Sequence, residues 1–151
     1  MSNHAVFNND CSFLTEVYGD VFSTKHSLGH CVSADFKMGK GIARAFKEKF
    51  GNVRQLKQSH AMAGGLATIA IGEQFVYYLV TKRRYFQKPT YTALRSALIA
   101  MRNHAQANNI THIALPKIGT GLDKLSWATV KGIIKDTFKE GDIHIVIYHY
   151  E

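Results

Sequence analysis

The chain has 151 residues, a length suited to one domain with a real core. A hydrophobic fraction of 46% and an aromatic fraction of 11% exclude a disordered tail. Two cysteines and eight scattered histidines supply neither a disulfide framework nor metal-ligand spacing, so neither a metal nor another cofactor is expected. No apolar run approaches the ~20 residues of a membrane span and no signal-peptide pattern opens the chain. The expectation is a reduced, intracellular, single-domain protein with no membrane partner. The net charge of +8 favours polyanionic or phosphate-bearing partners. With no zinc-finger or RNP signature beside it, that excess reads equally well as a solvated basic surface.

Met1 to Asp10 is polar and reads as a short irregular arm. Phe13 to Tyr18 alternates as a strand and ends at Gly19-Asp20. An acid in that place either accepts a hydrogen bond from an adenine amino group or caps a turn. His26 to Ser33 is a second strand, running into the glycine-bearing loop Ala34-Asp35-Phe36-Lys37-Met38-Gly39-Lys40-Gly41. Ile42, Phe46 and Phe50 keep helical spacing, and Gly51 suits a C-cap. Asn52 to His60 is a short helix and Ala61 to Gly65 a turn. Leu66 to Ile71 and Gln74 to Val80 form a hairpin about Gly72-Glu73.

That hairpin runs into Thr81-Lys82-Arg83-Arg84. Like charges this close disfavour one another, and with partial burial they favour a neutral, nucleophilic amine. The competing reading is a solvated basic strand end. Pro89-Thr90 opens the longest helix, with Thr90 as N-cap and Leu94, Leu98, Met101 and Ala105 on its core face. A strand from Thr111 follows. After it comes the stretch on which the chain turns, Leu115-Pro116-Lys117-Ile118-Gly119-Thr120-Gly121-Leu122-Asp123. Trp127, Val130, Ile134 and Phe138 then resume helical spacing, and a last strand runs from Ile143 to Tyr148.

A glycine-bearing turn from a strand into a helix presents backbone N–H groups and the positive end of a helix dipole, both suited to phosphate. The alternative is a tight turn whose glycines serve backbone geometry only. The unit occurs twice, at residues 26–50 and 112–138, so two such loops can grip one extended ligand from both sides. Alternating strands and helices predict a single three-layer α/β/α domain with a central mixed sheet.

The residues resemble a macrodomain from about Phe13 to Tyr150. Gly19-Asp20, the loop Met38-Gly39-Lys40-Gly41-Ile42-Ala43 and the loop Ile118 to Asp123 carry the likeness. More closely the chain is similar to the terminal ADP-ribose protein glycohydrolase type. That likeness rests on His30-Cys31-Val32-Ser33, Tyr77 to Lys82, Lys88-Pro89-Thr90-Tyr91 and Gly121-Leu122-Asp123-x-Leu125-x-Trp127 taken together. The resemblance implies that Asp20 reads the adenine of ADP-ribose with Val21 packed beside it, and that Tyr150 covers the base. It implies that Pro116 and Lys117, Ile118, Gly119, Thr120, Gly121 and Leu122 wrap the diphosphate and distal ribose. Ser33, Met38, Gly39, Gly41 and Ile42 then belong to the opposite wall.

The resemblance also implies a lysine nucleophile at Lys82 and an acid/base at Asp123. The implied activity is removal of ADP-ribose from glutamate and aspartate side chains, with the acetyl ester of ADP-ribose as a related substrate. The alternative is a reader that binds ADP-ribose on proteins or polymer without turnover. Partners on this reading are ADP-ribose, ADP-ribosylated proteins and poly-ADP-ribose, with nucleic acid left open. A nuclear or cytoplasmic monomer is expected.

Overall fold

The computed structural model describes residues 5–150. Seven strands form one sheet: β1 (Ala5–Cys11), β2 (Leu14–Tyr18), β3 (Ser27–Ser33), β4 (Leu66–Ile71), β5 (Gln74–Lys82), β6 (His112–Pro116) and β7 (His144–His149). Their order across the sheet is β1-β2-β7-β6-β3-β5-β4. The five inner strands run parallel, and β1 and β4 close the edges antiparallel. The sheet is therefore mixed, as expected. Among the described residues no helix is long and apolar enough to cross a membrane.

Side-chain alternation divides the core in two. Along β5, Tyr77 and Leu79 belong to one cluster, while Val76, Tyr78 and Val80 belong to the other; all five are fully buried. Helices α3 (Tyr91–Ala107) and α4 (Trp127–Phe138) cover the first face through Leu94, Leu98, Met101, Val130, Ile134 and Phe138. Helices α1 (Gly41–Phe50) and α2 (Val53–Gln58) cover the second through Phe46 and Leu56. A strand buried on both faces has few polar positions, which is why β5 reads as an unbroken apolar run.

The helix ends follow local chemistry. Thr90 Oγ1 accepts the Ala93 N–H at 3.1 Å at the start of α3. Gly51 closes α1 at φ +60°, where its N–H bonds the Lys47 carbonyl. The amino-terminal expectation needs correction. Ala5–Cys11 is a strand paired with β2, not an irregular arm, and residues 1–4 of that arm lie outside the described residues. Its register slips twice, so the polar Asn8-Asn9-Asp10 run is accommodated at a sheet edge, where no second partner strand is required.

One core group gives the fold a pH dependence. The fully buried His30 ring stacks on Phe46, centroids 3.8 Å apart, and neither ring nitrogen has a hydrogen-bond partner among the described residues. Burial pushes its pKa down to about 3. A folded pKa below the unfolded value means the stabilisation is present above about 6.5 and is lost as pH falls toward 3. His26 and His144 are shifted the same way, by burial and then by the His112 charge. We expect the thermal midpoint to fall steadily between pH 7 and pH 4, and His30→Phe to flatten that fall. An unchanged slope in the variant would remove His30 as its source.

Candidate active site

Every carboxyl end of the five parallel strands carries a residue singled out from the sequence. β2 leads to Asp20, β7 to Tyr150, β6 to the 117–123 loop, β3 from Ser33 into the 34–40 loop, and β5 to Lys82. Ligands of open α/β sheets bind at this edge.

Lys82 owes its position to an irregularity. β3 and β5 pair Val32 with Val80, but the next pair is Ser33 with Lys82, so Thr81 is an extra residue. The buried Thr81 hydroxyl donates to the Val32 carbonyl at 3.5 Å, and the Ala34 N–H bonds the Lys82 carbonyl at 2.8 Å. Were β5 paired regularly through Thr81, Lys82 would share the α1/α2 face with Tyr78 and Val80. The bulge shifts it by one, onto the face of Cys31 and Leu79. There the amine Nζ donates to Asp123 Oδ1 at 2.6 Å, the two side chains only 13% and 20% exposed. Cys31, on the same face of the sheet, feels both charges. Burial, then the Asp123 charge, pushes its thiol well above its ordinary range, so it stays protonated.

The 34–40 loop turns its apolar side chains inward. Phe36 and Met38 are buried, and both adopt positive φ, +51° and +44°, conformations that cost non-glycine residues about 1 kcal/mol or more each. Asp35 offsets this by joining three segments. Its Oδ1 accepts from Ser33 Oγ at 2.5 Å and from the Lys37 N–H at 3.0 Å, and its Oδ2 accepts the Tyr85 N–H at 2.9 Å. Burial raises the Asp35 pKa, but these donors and the Arg84 charge outweigh it and hold the carboxyl below its ordinary value. The loop delivers the start of α1, whose N-cap Lys40 makes no side-chain cap. Among the described residues the N–H groups of Gly41, Ile42 and Ala43 have no acceptor.

Across the cleft the second loop folds on itself. The Ile118 N–H bonds the Pro116 carbonyl, the Leu125 N–H bonds the Gly119 carbonyl, and Thr120 Oγ1 donates to Lys117. The N–H groups of Gly119, Gly121, Leu122 and Asp123 have no acceptor among the described residues. Gly119 sits at φ +75°, and a Cβ there would lie 2.9 Å from Leu125 Cδ1. Gly121 has an ordinary φ and open space around it, so the strain expected for glycines in this loop belongs to Gly119 alone. The loops meet where Leu122 Cδ1 stands 3.6 Å from the position of a Cβ on Gly41.

This strand-end edge with two facing glycine loops is matched at family level: residues 30–134 fit the description Macro domain. The chain belongs to the macro domain family. Over 143 residues it is 42% identical to a Bos taurus protein named ADP-ribose glycohydrolase OARD1, spanning 93% of this chain and 94% of that one. The fold matches the macrodomain of Mycobacterium tuberculosis DarG at a TM-score of 0.83, over 89% of this chain and 96% of that one, at 23% identity. It also matches Thermosipho africanus DarTG, solved in complex with ADP-ribose, at a TM-score of 0.83 and 20% identity, over 92% of this chain and 42% of that one.

In this macro domain Asp20 and Tyr150 come together at one end of the cleft. The Gly19 N–H bonds the His149 carbonyl at 3.0 Å, which sets the two following residues side by side. Of the two roles open to Asp20, capping is visible: Oδ1 accepts the Phe22 N–H at 2.9 Å at a single 3₁₀ turn, Val21–Ser23. Its second oxygen has no partner among the described residues. Val21 is buried and Tyr150 is 85% exposed. The arginines expected to crowd Lys82 do not: Arg83 and Arg84 are exposed, and the group facing the amine is a carboxylate. Sequence reasoning gave no role to Asp35 or to Tyr91, whose hydroxyl accepts the Ser126 N–H at 3.0 Å and steadies the far end of the second loop. The bonds of Asp35 to Ser33 and Lys37 are local, but its bond to Tyr85 and the bond of Tyr91 to Ser126, which tie the segments together, reach across the sequence.

Proposed function

We propose that this macro domain is an ADP-ribose glycohydrolase that removes ADP-ribose from glutamate and aspartate side chains of modified proteins. The observation that carries the reading is the Lys82–Asp123 contact at 2.6 Å between two glycine loops. A site that only binds ADP-ribose has no use for a largely buried amine held against a carboxylate. The bovine relative's name, at 42% identity over most of both chains, supports the same class of reaction.

In the proposed sequence, the diphosphate lies against the free N–H groups of the second loop, opposite the start of α1. The adenine lies toward Asp20, Val21 and Tyr150, and the distal ribose toward Lys82, Ser33 and Asp123. Asp123 accepts a proton from the Lys82 ammonium, and the freed amine attacks the anomeric carbon. The N–C bond forms as the bond to the ester oxygen breaks, and the protein's carboxylate leaves with the electron pair. The departing carboxylate carries off the proton held by Asp123, and Asp123 then deprotonates water. The hydroxide attacks the anomeric carbon, the C–N bond breaks with its electron pair going to nitrogen, and Asp123 returns the proton to the lysine. The acetyl ester of ADP-ribose is a smaller substrate for the same steps.

The deciding experiment is incubation with a glutamate-ADP-ribosylated protein and quantification of free ADP-ribose. Release supports the hydrolase. ADP-ribose binding with no release would make the domain a reader.

The loop geometry yields a sharper expectation. Gly119→Val places a β-branched residue at φ +75° and a Cβ against Leu125, a strain of about 1–3 kcal/mol. ADP-ribose affinity should fall about tenfold or more by calorimetry. Gly121→Ala, with ordinary φ and free space, should bind within about twofold. Equal losses would mean the loop's N–H groups do not grip the ligand.

A further inference from the structure

Beside the cleft, and separate from it, lies a basic groove. A concavity of about 720 Å³ is lined by Lys37, Lys47, Lys57 and Arg84, with Tyr85 and Phe86 on its rim. It continues along α2 through Val53 and Lys57 into a shallower depression of about 390 Å³ that adds Arg54. Among the described residues one carboxylate lines its wall, Asp35, and it is already committed to Ser33, Lys37 and Tyr85. The cations come from four separate segments: the 34–40 loop, α1, α2 and the chain after β5. Phe86 is 72% exposed and Tyr85 52%.

The groove starts where the proposed reaction ends. Arg84 follows Lys82 by two residues, which an extended chain spans in about 7 Å. Asp35 bonds Ser33, the residue paired with Lys82. We propose that this groove holds an acidic segment of the modified protein, the residues flanking the glutamate or aspartate that carries ADP-ribose; this rests on the hydrolase reading of the cleft. Charge complementarity names the partner, since several convergent cations with one committed acid suit a run of carboxylates. The rings do not suit single-stranded nucleic acid, which wants parallel faces for successive bases. Lys37 Nζ stands 4.4 Å over the Tyr85 ring, and Phe86 is turned 90° to it. They present one exposed apolar edge, fit for a side chain of a peptide.

The test uses Lys57→Glu combined with Phe86→Ser, two exposed positions outside the cleft. A labelled, unmodified peptide rich in Asp and Glu is titrated at low ionic strength with ADP-ribose filling the cleft. The wild-type protein should bind it, more weakly as salt rises, and the variant about tenfold less. In turnover, the wild type should prefer an ADP-ribosylated peptide with acidic flanks to one with neutral flanks by about tenfold in kcat/KM. The variant should lose that preference and still cleave the acetyl ester of ADP-ribose at the wild-type rate. The proposal is overturned if wild type does not bind the unmodified peptide. It is equally overturned if an oligonucleotide of matched charge displaces the peptide at lower concentration than the peptide itself, or if the variant slows the acetyl ester as much as the acidic substrate. Peptide binding with no hydrolysis of any ester would sustain the groove and discard the hydrolase.

Discussion

Lys82→Ala should cut release of ADP-ribose from a glutamate-linked substrate on the order of a thousandfold or more, while ADP-ribose affinity stays within a few fold. Among the described residues the amine's hydrogen-bond partner is the Asp123 carboxylate, so its removal leaves the glycine loops and their N–H groups in place. A loss confined to turnover separates a reacting group from a binding one. Lys82→Arg sharpens the measurement. The guanidinium keeps the positive charge and can still pair with Asp123, but it offers no neutral nitrogen in the accessible pH range. It should be as inactive as the alanine variant. Wild-type turnover by Lys82→Arg would show that the side chain supplies charge alone, and the covalent step would have to be abandoned.

Asp123→Asn should be nearly as slow, but its failure should look different. The amide preserves the shape of the side chain and cannot accept the lysine's proton or draw one from water. Attack by Lys82 continues slowly with solvent taking its proton, while hydrolysis of the resulting adduct loses its base. Incubated with substrate, the variant should therefore gain the mass of one ADP-ribosyl group, read on the intact protein. The Lys82→Ala/Asp123→Asn double variant should gain none. Adduct in the double variant would place the covalent bond on another residue. Two inactive single variants without adduct would point to a reaction in which water attacks directly.

Periodicity and end signals made much of this fold readable. The apolar spacing of α3 and its Thr90 cap are local facts, and the structure buries each of Leu94, Leu98, Met101 and Ala105 completely. The strand at Ala5–Cys11 was not readable, because an edge strand with slipped register tolerates a polar run that looks like coil. At the cleft, the two glycine loops announced themselves by composition. Which glycine matters did not, since φ and the reach of Leu125 separate Gly119 from Gly121. Asp35 was invisible for another reason: Tyr85, which it binds, lies 50 residues further along the chain. The pairing of Lys82 with Asp123 spans 41 residues and came from the family likeness rather than from any local pattern.

Thr81 turns the chemistry of this domain into a matter of arithmetic. Side chains on a strand obey parity, and one additional residue changes the parity of everything beyond it. A chain of the same sequence with β5 paired regularly through Thr81 would keep both glycine loops and all of its lysines. Its Lys82 amine would emerge on the opposite side of the sheet, away from Asp123. The meeting of amine and carboxylate is thus set by backbone register at one point, and a search for it among residue identities alone would pass it by.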